Sequence, residues 1–288
     1  MAVTLPPGRR TPWTPERGDG SALRVSRAPG RVGRTVLTLA LAVWFLLPLA
    51  PLGLWLFADR WSYPAAMPEG WGFDGVRSAL AQGAVPAFAR SLGLGLAVSA
   101  VATPLGALAA RALAYHRVPF PAAVNAVLFA PLVVPAFAAA FGLNVLLLRL
   151  QVPALAGVIL ILSVYALPYT TYTMRVAYGA HDRGFEDEAL TLGATRWQVL
   201  TRVHLPLLAP ALARSAFLAF LVGWSDYLIT LLVGGGAFVT VPMLVASAAS
   251  GTGNDAVVAV LSVTAVLPPL ILLLGLGFFA RKPPGDLS

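Results

Sequence analysis

Six apolar runs, each about as long as a helix needs to cross the hydrocarbon core of a bilayer, constrain this chain of 288 residues more than any other feature. They cover residues 36–57, 86–110, 120–148, 154–176, 210–233 and 256–280. In hydrocarbon every backbone amide needs a partner within its own segment or in a closed barrel, and a barrel would show short alternating segments that these runs lack. The expected fold is therefore all-α: a polytopic membrane protein with six transmembrane helices. The overall balance agrees, with 58% hydrophobic and 11% charged residues against about a quarter charged in a soluble domain. The first run is longer than the apolar stretch of a signal peptide, about 7–15 residues, and reads as a retained anchor.

Positive charge sets the expected orientation. Arg9, Arg10, Arg17, Arg24, Arg27, Arg31 and Arg34 precede the first run, and Arg111 and Arg117 follow the second. Arg175, Arg183, Arg196, Arg202 and Arg214 surround the connection between the fourth and fifth, and Arg281 and Lys282 follow the sixth. Only Arg60, Arg77, Arg90 and Arg149 fall on the other side. The positive-inside bias then puts both termini in the cytoplasm. Residues 1–34, rich in Pro, Gly, Ser and Arg, are expected to be a disordered basic cytoplasmic tail. Residues 35–282 form the transmembrane domain, with an external loop at 58–85 and a cytoplasmic polar element at 185–206, and 283–288 form a short cytoplasmic tail. The net charge of +8 lies along membrane edges, which suits lipid headgroups and not nucleic acid. With no cysteine, disulfides and thiolate sites are excluded.

The polar element reads FEDEALTLGATRWQVLTRVHLP. Its first helix, about 185–192, has Glu186, Asp187 and Glu188 in the first turn, at the positive end of the helix dipole. Gly193 can take the left-handed conformation that ends it, and Thr195 with Gln198 forms a capping box for a second helix. That helix should run to about Val203, parted from the fifth apolar run by Pro206 and Pro210. Phe185, Ala189 and Leu192 share one face of the first helix, and Trp197, Leu200 and His204 lie along one side of the second. Such a unit suits a partner's groove, and a hairpin lying on lipid headgroups is the alternative.

This element resembles the EAA signature of the membrane subunits of bacterial ABC importers. Gly193 matches the signature's Gly, and Val203, Leu205 and Pro206 follow ten, twelve and thirteen positions later. Asp187 stands at the Glu position, with Glu188 and Ala189 at the two Ala positions. A second stretch, WSDYLITLLVGGG at 224–236, resembles the fifth-span region of permeases of the spermidine/putrescine, ferric iron, thiamine and aminoethylphosphonate group. The resemblance covers about residues 36–281. It implies an inner-membrane permease working by alternating access with an ABC ATPase dimer, a second permease subunit, identical or homologous, and an extracytoplasmic substrate-binding protein. It also implies that ATPase closure passes through Glu186, Asp187, Glu188, Ala189, Gly193, Thr195, Trp197, Leu200, Leu205 and Pro206. In that scheme Gly193 sets the bend, Trp197 and Leu200 supply the apolar contact, and the acids meet polar or basic groups on the ATPase.

A phosphate-binding loop needs a Lys after a Gly-rich turn, and the only Lys, Lys282, sits in RKPPGDLS. The chain is therefore expected to be a transport subunit without its own ATPase site, and no catalytic residue, cofactor or metal site is assigned. Asp226 is the one acid inside an apolar run. A charge at membrane depth is costly, so Trp224, Asp226 and Tyr227 are candidates for the translocation pathway, with Asp226 favouring a cationic or amine-bearing substrate. Hydration at the interface is the plainer reading of the same three residues.

Gly93, Gly95, Ser99 and Gly106 give the second run a small-residue face for close helix packing. Gly234, Gly235 and Gly236 make a hinge or a loop. Pro104, Pro131, Pro135 and Pro168 are expected to interrupt runs two to four. Arg90 can snorkel to headgroups. His116, His181 and His204 read as solvated or interfacial. Trp61, Tyr63, Trp71 and Phe73 in the external loop suit a delivery protein or an interfacial belt. The rival functions are an ion-gradient transporter, which would show internal repeats and buried ionisable groups, and an intramembrane serine protease, which would need a His at membrane depth.

Overall fold

A computed structural model of the chain describes residues 31–61, 65–116, 118–182 and 184–279. The expected tails up to residue 30 and from 283, together with Tyr63, Arg117, Arg183, Arg281 and Lys282, lie outside the described residues. The chain divides into two compact units between Pro48 and Leu49. In the first, α1 spans Arg31–Leu46, so residues 31–34, assigned to the tail from sequence, begin a helix. Its apolar part, Gly33–Trp44, is shorter than a full bilayer crossing.

The second unit opens with α2, Ala50–Trp55, and an antiparallel pair of short strands, β1 (Ala58–Arg60) and β2 (Gly70–Trp71). The amide of Asp74 donates to Asp59 Oδ1 at 2.8 Å and starts α3, Asp74–Ala81. The described residues of the loop expected at 58–85 thus hold a ribbon and a helix, and beside them Trp55 and Trp61 stack at 4.8 Å and Phe57 lies edge-on to Phe73 at 5.8 Å. Then follow α4 (Ala84–Tyr115), α5 (Pro121–Val133), α6 (Ala136–Arg149) and α7 (Ala154–Ala180). Next come α8 (Gly184–Thr191), α9 (Arg196–Val199), a π segment at Leu200–His204 and α10 (Leu205–Ser225). The unit closes with α11 (Leu228–Gly234), α12 (Val241–Ala249) and α13 (Asp255–Phe279).

Four helices among the described residues are long and apolar enough to cross a membrane: Ala84–Tyr115, Ala154–Ala180, Arg196–Ser225 and Asp255–Gly277. The third apolar run is a broken pair, α5 and α6, bent by 103°. Uninterrupted spans therefore replace the expected six only in part. The break has a local cause: Val134 precedes Pro135, whose ring forces the preceding residue to extended backbone, here φ −78° and ψ 123°. Pro104, Pro131 and Pro168 do not interrupt as expected; α4, α5 and α7 continue past them. The fifth run ends at Ser225, and its last residues form the separate α11.

The centre of this unit is α4, α7 and α10, whose buried residues include Leu94, Val98, Ile161, Leu162, Ala166 and Ala219. Small residues let these helices approach, since van der Waals contact and not hydrophobicity drives helix association in lipid. A Cβ on Gly223 would lie 2.9 Å from the Cα of Gly95, and one on Gly95 2.7 Å from the Phe220 ring. Ser99 Oγ donates to the Ala216 carbonyl at 2.9 Å across the same seam, and Gly106 meets Thr170 on α7. Gly93, expected on this face, has open space beside it.

Candidate functional site

The element between α7 and α10 forms from local rules. Asp182 Oδ1 accepts the Gly184 amide at 2.8 Å ahead of α8, and Glu186 and Asp187 occupy its first turn. At its other end the Ala194 amide donates to the Ala189 carbonyl and the Gly193 amide to that of Leu190, each at 3.0 Å. This is a Schellman closure, and it needs a left-handed residue at the position of Gly193, whose φ is +88°. Thr195 then opens α9: its Oγ1 accepts the Gln198 amide at 3.3 Å, and the Gln198 side chain accepts the Thr195 amide at 2.8 Å. The capping box expected from the sequence is present.

The second helix does not stop at Val203. It passes through the π segment into α10, with the Leu205 amide reaching back five residues to the Leu200 carbonyl. Pro206 lies in the first turn of α10 and Pro210 inside it, so neither parts the element from the span. The wider turn also changes which way side chains face. Five π residues fall roughly a quarter turn behind an α-helix, so the expected stripe of Trp197, Leu200 and His204 is split. Trp197 is exposed, Leu200 half-buried and His204 buried.

On the outside, Phe185, Leu192 and Trp197 are 55%, 81% and 70% exposed. Asp187, Glu188, Thr195, Leu205 and Pro206 are exposed as well, and Ala189 is half-buried. Glu186 turns inward and is buried, away from the exposed side of the element. Its Oε1 lies 2.6 Å from His204 Nδ1 and 3.0 Å from His181 Nε2. His204 Nε2 lies 3.3 Å from the Tyr178 hydroxyl, and the Tyr115 hydroxyl donates to the Tyr178 carbonyl at 3.4 Å. His181 and His204, read from the sequence as solvated or interfacial, are instead parts of an internal cluster; His116 alone of the three is exposed. Burial pushes the Glu186 carboxyl up, but hydrogen bonds from His204 and His181 outweigh it and hold the group below its usual range. The cluster ties the end of α7, the start of α8 and the start of α10 together. The sequence carried one sign of it, two His and a Glu at the edges of adjoining helices.

At the other end of α10 the chain breaks at Asp226. Its Oδ2 accepts the Thr230 amide at 2.7 Å and the Thr230 hydroxyl at 2.8 Å, and its Oδ1 the Ile229 amide at 3.4 Å. The carboxylate expected to attract a cation is therefore occupied with the N-terminus of α11. Trp224 is buried, donates from Nε1 to the Ala265 carbonyl at 2.8 Å, and packs on Phe88 and Phe220. Tyr227 is exposed. Gly235 and Gly236, both left-handed, close α11.

Residues 102–281 match the family described as binding-protein-dependent transport system inner membrane component. The chain is 32% identical over 171 residues to the trehalose transport system permease protein SugB of Mycobacterium tuberculosis, covering 56% of this chain and 60% of that relative. It thus spans about three fifths of SugB. It is 26% identical over 245 residues to PhnV of Salmonella typhi, a permease protein named for 2-aminoethylphosphonate transport, covering 83% of this chain and 91% of the relative. A solved bacterial ABC transporter that imports the acidic polysaccharide alginate shares the fold, with a TM-score of 0.65 at 16% identity over 86% of this chain and 95% of that one. A multi-pass helical membrane protein with this family match over residues 102–281 belongs to the binding-protein-dependent transport system inner membrane components.

Proposed function

We propose that α8, α9 and the π segment receive the stroke of an ATPase subunit and pass it through α7 and α10 to a translocation pathway. The observation that carries this reading is the exposure of Phe185, Leu192 and Trp197 on an element whose two helices are locked at their junction by a Schellman turn and a capping box. Large apolar side chains outside a bilayer call for a partner, and rigid helix ends let a push move the spans instead of bending a loop.

In this reading the chain lies in the bacterial inner membrane with α8 and α9 on the cytoplasmic side, beside a second permease, identical or homologous. An extracytoplasmic binding protein delivers the substrate, a small polar solute of the kind named for the sugar and aminoethylphosphonate relatives. Asp187 and Glu188 supply the polar contacts to the ATPase, in place of Glu186. Near the other end of α10, Tyr227 lines the pathway, and Asp226 holds open the helix break beside it. Family membership weighs against the ion-gradient alternative.

The test is recovery of an ATPase with the tagged chain extracted from its native membrane. Trp197→Asp is expected to insert normally and lose the ATPase. Gly193→Val should do the same: its Cβ meets nothing within 4 Å, but a β-branched residue opposes the left-handed backbone that the turn needs, at about 1–2 kcal/mol. Undiminished recovery with Trp197→Asp would contradict the assignment.

A further inference from the structure

We propose that His181, Glu186 and His204 form a binding site for one divalent transition-metal ion of the Zn²⁺ type, clipping the end of α7 to α8 and to the start of α10. Ligating atoms of the three side chains all lie within 4.8 Å of one another. The closest pairs, 2.6 Å and 3.0 Å, both converge on Glu186 Oε1. Zn²⁺ with ligand bonds of about 2.0–2.2 Å places tetrahedral neighbours about 3.3 Å apart, so these two pairs open by less than about 1 Å while the two imidazole nitrogens, within 4.8 Å, close by up to about 1.5 Å. Two imidazoles and one carboxylate are a three-ligand set that leaves a fourth position open, and imidazole selects Zn²⁺ and its neighbours over Mg²⁺ and Ca²⁺.

The surroundings suit an ion. The side chains of His181, Glu186 and His204 are 6%, 11% and 5% exposed, so ligand exchange with bulk water is restricted. Tyr178 stands behind His204 at 3.3 Å from Nε2, the outer partner that orients a ligating imidazole. An ionised Glu186 accepts only, so without metal His204 Nδ1–H donates to it and the Tyr178 hydroxyl donates to Nε2. With metal, Nδ1 presents its lone pair, the ring proton sits on Nε2, and the same hydroxyl accepts it. No proton is gained or lost in that exchange. The Tyr115 ring, edge-on at 5.3 Å, holds Tyr178 in place. Metal binding does not depend on the coupling role proposed above; only its effect on transport would.

The test uses the full chain purified in detergent without a polyhistidine tag, stripped with a chelator and titrated with Zn²⁺ against a chromophoric competitor. One saturable equivalent is expected, with Co²⁺ in its place giving the visible bands of a tetrahedral site, and Zn²⁺ raising the thermal midpoint. His181→Leu should abolish binding, while His181→Cys, which restores a ligand, should retain it. Tyr178→Phe should weaken affinity about 10–100-fold, and His116→Leu should leave it unchanged. Should His181→Leu not fold, Glu186→Gln, nearly identical in shape, takes its place and is expected to lose the metal-dependent rise in midpoint. Absence of a saturable site in the wild type, or equal affinity in the ligand variants, would overturn the proposal and leave the cluster a hydrogen-bonded clip.

Discussion

Asp226 shows how one residue's role changes once its neighbours are placed. As an acid inside an apolar run it suggested attraction of a cation, yet its oxygens accept three hydrogen bonds from the first turn of α11. Asn keeps one acceptor oxygen, enough for the Thr230 amide and hydroxyl though not for Ile229, and Ala keeps none. Asp226→Asn is therefore expected to retain uptake and thermal stability, whereas Asp226→Ala should lose about 0.5–2 kcal/mol, the usual cost of a lost N-terminal cap. Thermal unfolding in detergent and uptake in vesicles check both; loss of uptake in the Asn variant alone would restore the charge-based reading. Gly193, Thr195 and Gln198 were legible from sequence because turn and cap chemistry is local. The inward turn of Glu186 was not, because it depends on His181 at the end of another helix and His204 eighteen positions on.

At the scale of elements, the seam between α4 and α10 separates glycines that matter for packing from one that does not. Gly223 approaches the Gly95 backbone, so Gly223→Ala must push the helices apart, costing about 1–3 kcal/mol as overpacking does. Gly93 faces open space, and Gly93→Ala is expected to be neutral or to stabilise by about 0.5–1 kcal/mol through lower unfolded-state entropy. Thermal midpoints of the two variants should move apart; a common shift would contradict the seam. The small-residue face was visible in the sequence for Gly95, Ser99 and Gly106, spaced by one and two turns, whereas Gly93, two residues before Gly95, falls on the other side of the helix. The bend at Pro135 was visible too, but not that Pro104 and Pro168 sit inside helices that continue. The π segment had no signature beyond Pro206 following it. The quarter turn by which it lags an α-helix took His204 out of the expected stripe.

For the whole molecule, length and apolar composition read the helical membrane class, because hydrocarbon allows few alternatives. They did not read how many runs cross unbroken, since that depends on where a helix ends inside an apolar stretch, as at Val134 and Ser225. The exposed side of α8 and α9 is proposed to face an ATPase while the inner side holds the spans together. The chain contains no cysteine, so single cysteines can be placed without background. The most direct measurement is site-specific crosslinking in native membranes from Leu192→Cys, with Tyr227→Cys at the other end of α10 as the comparison. The account expects an ATPase adduct from position 192 and none from position 227. Adducts from 227 in place of 192, or to lipid alone at 192, would contradict it.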